Sequence, residues 1–248
     1  MANKVQSESL SVPLDGATTA KVDIHSGTGH LTIGRLAGRE QELASGTLQR
    51  LETQEPPTRA VDTDGGRIML ALKAAKGGNR PFWFRPPWRA CGGGAYEWQI
   101  HLNPAVPCDI TAQSDGGNLR LDLAGMAVTR VSAATNGGNV DVVLPDHAAD
   151  LIVAAEASAG NVRIDIGSGS TGSNTVRAKS GAGNVAVAVP RGMAARVRAT
   201  SGLGKVTVDP RFAQIDGHTY QSPDYDAASE RVEITAGSGA GNVTIIGR

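Results

Sequence analysis

The chain has 248 residues, enough for one or two domains and a sizeable buried core. Its 24 Lys+Arg balance its 24 Asp+Glu, so net charge gives no reason to expect nucleic acid or a generally anionic partner; any such binding has to be local. Glycine is abundant at 32 residues and aromatics make up only 4%, a composition that excludes a disordered chain and fits many tight turns around a thin core of small branched side chains.

Residues 1–11 are polar and are expected to be a loose N-terminal segment, ahead of a single all-β domain over 12–248. Between Val12 and Ile33 the apolar residues alternate, with Val22, Ile24, Leu31 and Ile33 on one face and His30 at a Gly-rich turn. Residues 35–60 are less patterned. Leu36, Leu43, Leu48 and Leu51 there suit a short capping helix or extra strands, and Pro56-Pro57 ends the segment. A second degenerate copy of the strand-turn-strand phrase is read at Val61, Thr63, Gly65, Gly66, Ile68, Leu70 and Leu72.

The stretch 73–96 breaks the pattern. Lys73, Lys76, Arg80, Arg85 and Arg89 occur there with no acidic residue among them, together with Phe82, Trp83, Phe84, Trp88 and Tyr96. With Trp98 added, six of the nine aromatic residues fall within seventeen positions. Pro81, Pro86, Pro87 and several glycines make this a long loop rather than a strand. Arginine and tryptophan together suit a membrane interface or a protein hot spot. Arg80, Phe82, Trp83, Phe84, Arg85, Trp88, Arg89, Tyr96 and Trp98 are therefore the candidate interaction residues. The structural alternative is that the aromatics fold back over the stack and thicken its core.

From 108 onwards one phrase recurs six times, turning at Asn118, Asn139, Asn161, Asn184, Lys205 and Asn242 with spacings of 21, 22, 23, 21 and 37 residues. Six positions before each turn stands Ala112, Ala133, Ala155, Ala178, Ala199 or Ala236, and eight before it a Val or Ile. Directly before it stands Gly117, Gly138, Gly160, Gly183, Gly204 or Gly241, and the positions one and three after it are apolar. Side chains two apart share a face of a strand, so each unit is strand, turn, strand with one apolar stripe that only stacking can bury. The glycine is assigned to a backbone conformation with positive φ. A β-solenoid with a period of about 22 residues follows, although a hairpin meander would also suit strand-turn-strand units.

Four blocks in this order, VPLDGATTAKVDIHSGTGHLTIG, EWQIHLNPAVPCDITAQSDGGNLRLDLAGM, the SGAGNV repeats and YQSPDYDAASERVEITAGSGAGNV, resemble the bacterial toast-rack family. This is the domain found at the C-terminus of LiaF-type envelope-stress proteins and close to the adhesin-like β-helix families. The resemblance implies a right-handed β-helix-like stack, no known catalysis, and a role in envelope sensing or protein contacts. LiaF-type proteins carry membrane helices ahead of this domain. Here no run approaches the roughly 18–20 apolar residues of a span, and no basic-then-apolar leader opens the chain. The expectation is a protein that is cytoplasmic or held at a membrane through a partner.

Little in the sequence points to chemistry. If the units stack in register, Arg120, Asp141 and Arg163 form an alternating charged ladder, worth about 0.2–1 kcal/mol per pair or, in the competing reading, part of a carbohydrate-active groove. His25, His30, His101, His147 and His218 show no ligand spacing. No GxSxG elbow or Gly-Lys-Ser/Thr loop surrounds the Ser-Gly pairs. Cys91 and Cys108 are read as free thiols in preference to a bridge. No enzyme activity, catalytic residue, metal or cofactor is expected; a protein partner is, with a membrane surface as a second possibility and no nucleic acid. An adhesin-like stacking subunit is the remaining alternative.

Overall fold

Parallel pairing between equal positions of successive repeats organises the molecule. The computed structural model describes residues 4–38, 41–52, 54–75 and 97–248. In chain order its strands are β1 (Val5–Pro13), β2 (Thr19–His25), β3 (His30–Arg35), β4 (Glu42–Leu51), β5 (Thr58–Asp64), β6 (Arg67–Lys73), β7 (Glu97–Leu102), β8 (Cys108–Ser114), β9 (Leu119–Asp122), β10 (Val128–Thr135) and β11 (Val140–Val143). They continue as β12 (Ile152–Ala159), β13 (Val162–Asp165), β14 (Ser173–Ala182), β15 (Val185–Val189), β16 (Ala194–Ser201), β17 (Val206–Val208), β18 (Ala213–Gln214), β19 (Thr219–Gln221), β20 (Arg231–Ala240) and β21 (Val243–Gly247). Among the described residues they form two mixed sheets, of 10 and 11 strands, and no helix.

Each rung of the structure puts one strand in the larger sheet and the next in the smaller. In space the rungs run β6/β7, β2/β3, β8/β9, β10/β11, β12/β13, β14/β15, β20/β21 and β16/β17. From β8 to β15 this is sequence order. At the C-terminal end it is not: the last rung, β20/β21, pairs in parallel with β14/β15 on one side and with β16/β17 on the other. The insertion after β17 makes this possible by turning back through β18 and β19, which cover the outer edge of β16 antiparallel. At the other end, β6/β7 lies outside β2/β3, and the chain then returns to lay β8/β9 against the inner side of β2/β3.

Between the sheets lies one apolar core made of columns. Ala133 faces Ala112 and Ala155, Ala155 faces Ala178, and Ala236 joins Ala178 to Ala199, all fully buried. Small residues there let the two walls approach, and the Val/Ile columns fill the wider space. At the N-terminal end the column residues are larger. Ile24 stands where the later rungs have Ala and is in register with Leu72 and Ala112.

Two sequence expectations change here, and one left open is decided. The N-terminal segment is not loose from Val5 onwards: β1 pairs antiparallel with β4 and buries Leu10 and Val12. Of the two alternatives for the leucine-rich segment, a capping helix or extra strands, residues 42–51 take the second: they are the strand β4, set between β1 and β7. The second degenerate copy is a hairpin, β5 antiparallel to β6. Its Ile68, Leu70 and Leu72 join the first-strand columns beside Ala20, Val22 and Ile24, while β5 is exposed along its whole length. Short-range alternation reads the same in a hairpin and in a rung, and only the pairing partner separates them.

Candidate functional site

The corner at which the larger sheet hands over to the smaller carries the repeated glycine and asparagine, and three kinds of interaction close it. First, each Asn amide oxygen accepts the backbone N–H of the next turn residue in space. Asn118 Oδ1 takes Asn139 N, Asn139 Oδ1 takes Asn161 N, Asn161 Oδ1 takes Asn184 N, Asn184 Oδ1 takes Asn242 N and Asn242 Oδ1 takes Lys205 N, all at 2.9 Å. The ladder begins on the His30 imidazole, whose Nδ1 accepts Asn118 N at 3.1 Å. It follows space, not sequence, and so passes through β20/β21 before ending on Lys205. The terminal rung has no further N–H to accept, which is why a Lys can stand there.

Second, the glycine before each Asn touches its counterpart. A Cβ on Gly117, Gly138, Gly160, Gly183, Gly204 or Gly241 would overlap the carbonyl oxygen of the matching glycine in the adjoining rung. Gly117, Gly138 and Gly204 do not have positive φ, while Gly160, Gly183 and Gly241 lie at +150°, +156° and +155°. Backbone approach, rather than a left-handed conformation, is thus the requirement common to all six, which corrects the reason inferred from sequence.

Third, a further column holds a hydroxyl four positions before five of the six turns; the β12/β13 rung has Ala157 at that place, opposite the Gly138 carbonyl. Thr135 Oγ1 donates to Gly117 O at 2.9 Å, Ser180 Oγ to Gly160 O at 2.7 Å, and Ser238 Oγ to Gly183 O and Ser201 Oγ to Gly241 O at 2.8 Å, while Ser114 Oγ lies 2.8 Å from Gly27 O and 3.2 Å from Gly29 O. The regular Ser/Thr at that spacing was the available signal. Most of these hydroxyls are buried, where an unpaired polar group would be costly.

The proposed interaction residues divide. Arg80, Phe82, Trp83, Phe84, Arg85, Trp88, Arg89 and Tyr96 lie outside the described residues, as does Cys91. Trp98 does not belong with them: it is on β7, fully buried, in register between Leu31 and Leu48. The topology also gives the segment an address. It joins β6 to β7, the two strands of the outermost rung, at the corner where every other rung has its short turn.

Elsewhere, Arg120, Asp141 and Arg163 do stand in register on the outer face of the smaller sheet, and Ala186 ends the series. Arg163 pairs along its own strand with Asp165, at 3.3 Å, rather than across to Asp141. His25 Nε2 meets Asp115 Oδ1 at 3.2 Å. Around the C-terminal insertion, Tyr225 is buried with the Arg196 and Arg231 guanidinium groups 4.5 and 5.6 Å from its ring centre, and Arg196 also reaches Asp226. Cys108 is a buried free thiol donating to Val106 O at 3.0 Å; burial, with a smaller push from the Asp109 charge, raises its pKa to about 12. Among the described residues no group of three or more His, Cys, Asp or Glu is arranged to hold a metal ion, and no helix is long and apolar enough to cross a membrane.

Residues 1–165 match the family model described as "N-terminal domain of toast_rack, DUF2154", and residues 153–245 match "Cell wall-active antibiotics response LiaF, C-terminal". A crystal structure of a candidate cell adhesion protein from Clostridium sporogenes ATCC 15579 has the same fold: it covers 99% of this chain and 100% of that one at 21% identity, with a TM-score of 0.69. Candidate adhesins from Bacteroides fragilis NCTC 9343 (11% identity, 99% and 98% of the two chains, TM-score 0.34) and Parabacteroides distasonis ATCC 8503 (11%, 98% and 98%, 0.31) are more distant. No curated protein matches the chain.

Proposed function

Because the chain belongs to the toast-rack family, we propose that it is a non-enzymatic interaction or sensing module of the bacterial cell-envelope stress response, held at the membrane surface through a protein partner or through its own basic-aromatic segment. In this reading the two sheets are the walls of a right-handed β-helix-like solenoid of about 22 residues per turn. Register pairs separated by 21, 22 and 23 residues, Val131 with Ile110, Val131 with Val153 and Val153 with Val176, support the repeat. The strong preference for right-handed crossovers between parallel strands supports the hand. The LiaF-type match over residues 153–245 supports the link to envelope stress.

The observation that carries the proposal is the place of residues 76–96 in the topology. In the other rungs the corner is a short turn held by the Gly contacts and the Asn ladder, with a hydroxyl added in all but the β12/β13 rung. At the β6/β7 rung, whose corner lies between the β2/β3 turn on one side and the end of β4 and start of β5 on the other, the chain instead has between Ala74 and Tyr96 a stretch rich in arginine and tryptophan. That composition matches a headgroup layer or a protein hot spot.

Co-sedimentation with anionic and neutral vesicles tests it, comparing the intact chain with a Trp83→Ala/Trp88→Ala variant whose circular dichroism is unchanged. Binding to anionic vesicles that the variant loses is the expected result. If the intact chain binds neither vesicle, the membrane contact is wrong. Pull-downs with the same pair of proteins then decide whether a protein partner uses those residues.

A further inference from the structure

Just before the close-packed glycine of each corner stands a residue that varies from rung to rung. It is Ala159, Ala182, Leu203 or Ala240 in four of the six clear repeats and a glycine, Gly116 or Gly137, in the other two. Packing does not ask for glycine at 137. A Cβ there would find the Gly116 Cα as its nearest neighbour, at 3.7 Å, an ordinary contact, and the backbone does not have positive φ. The residue ahead of it is an asparagine, and Asn136-Gly137 is the one Asn-Gly pair in the sequence. Such a pair can react with itself. The asparagine amide carbon lies within reach of the next main-chain nitrogen, and glycine puts no side chain in the way of the five-membered ring that joins them.

The structure leaves both reacting groups open. Asn136 and Gly137 are exposed, and among the described residues no acceptor binds the Gly137 N–H. On the side chain, Ser158 Oγ stands 3.5 Å from Asn136 Oδ1, the oxygen that gains negative charge when the amide carbon is attacked. The Asp115-Gly116 pair of the adjoining rung is arranged in the opposite way. There the side chain is tied to His25 Nε2 at 3.2 Å, and the Gly116 N–H donates to Ser114 Oγ at 3.4 Å. Thr135, the counterpart of Ser114, turns its hydroxyl to Gly117 O and leaves the Gly137 N–H free.

We propose that Asn136-Gly137 is a site of spontaneous modification, at which the folded chain loses ammonia, forms isoaspartate and loosens the corner between β10 and β11. Hydroxide takes the Gly137 N–H proton, the nitrogen bonds to Asn136 Cγ, and the Cγ–Nδ2 bond breaks; ammonia leaves with a proton from water, which restores the hydroxide. Water then opens the cyclic imide. Opening at Cγ gives aspartate, whereas opening at the main-chain carbonyl carries the chain through Cβ and lengthens it by one carbon. The longer chain cannot keep the corner as built, because Gly138 is pressed against Gly117 O and Gly160 against Gly138 O. The aspartate product is also unfavourable: it follows the register pair Thr135 and Ser114 and so sets a second carboxylate beside Asp115.

The test is to age the intact chain at mildly alkaline pH and physiological temperature beside a sample held cold and mildly acidic. Peptides are then mapped by mass spectrometry, with fragmentation that separates aspartate from isoaspartate. Conversion at Asn136 is expected to outrun that at Asn118, Asn139 and Asn161, each followed by Leu or Val, by about tenfold or more and to quicken as pH rises. A Gly137→Ala variant, checked for an unchanged circular dichroism spectrum and urea midpoint, is expected to convert about tenfold more slowly than the parent. Hydrogen exchange at the Asn139 and Val140 amides should be faster in the isoaspartate-containing chain than in the fresh one. The proposal is overturned if Asn136 converts no faster than the other three, if it converts only when denaturant unfolds the chain, if Gly137→Ala converts as fast as the parent, or if exchange at those amides is unaltered.

Discussion

The middle of the stack and its two ends are built from the same phrase and assembled differently. From β8 to β15 each rung lies on the one before it, and the chain needs only short connections. At the ends the chain skips: β6/β7 is laid outside β2/β3, and β20/β21 is slotted inside β16/β17. The difference teaches that the phrase specifies how a rung fits any neighbour, not which neighbour it meets. The Ala, Val/Ile, Gly and Asn columns are interchangeable from rung to rung, so connector length and the covering of edges decide the order. Doubling back leaves the last strand of the chain paired on both sides, while the outer edge of β16 is covered by β19.

Deleting residues 231–248 breaks the comparison most severely. If the end rungs were appended in sequence order, this would shorten the stack by one unit and leave the rest unchanged. The structure predicts instead that β16/β17 loses its inner partner, so hydrogen exchange should show protection lost throughout 194–221 as well. Next is Gly138→Ala, which drives a Cβ into the Gly117 carbonyl between rigid backbones. A loss of about 3 kcal/mol in urea unfolding is expected. Gly16→Ala is the contrasting case: that glycine has φ +75° and open space around it, so only conformational strain of about 1–2 kcal/mol should appear. Equal losses at the two sites would remove close approach as the reason for the glycine column.

Ala157→Ser asks whether the middle of the stack can be improved by its own rule. Completing the hydroxyl column at the Gly138 carbonyl should stabilise the fold by about 1 kcal/mol, read as a higher urea midpoint with an unchanged slope. The smallest effect concerns Cys108. Its pKa is raised from 9.0 to about 12, so the folded state holds the thiol proton more tightly than the unfolded chain does. The resulting contribution to stability is whole below about pH 9 and is lost as pH rises from there towards 12. In a Cys91→Ser background, Cys108 should be inert to a thiol-specific reagent at neutral pH until urea unfolds the protein. Reaction at a rate that does not depend on urea would show that the thiol is not buried.

Much of this was legible before the structure. The inward columns at eight and six before the turn and one and three after it are all core in the central rungs, and Arg120, Asp141 and Arg163 do stand in register. The hydroxyl column is regular in five of the six repeats, but Ser and Thr beside glycine look like ordinary turn residues. Composition alone places Trp98 with the basic-aromatic segment because it has no knowledge of where a strand begins; its period-two partners Ile100 and Leu102 mark it as core. Lys205, the one turn residue of the six clear repeats that is not Asn, marks the terminal rung, but its meaning depends on knowing that nothing stacks beyond it.

What the sequence by itself determined is therefore the shape of a rung. Alternation sets which side chains face inward, alanine sets how closely the walls approach, and glycine followed by asparagine sets the corner, because each depends on residues a few positions apart. Only the tertiary structure decided the order of the rungs, the antiparallel cover at both ends and the continuity of the Asn ladder through β20/β21. These depend on which of several equivalent surfaces meet, and sequences that repeat make those surfaces alike.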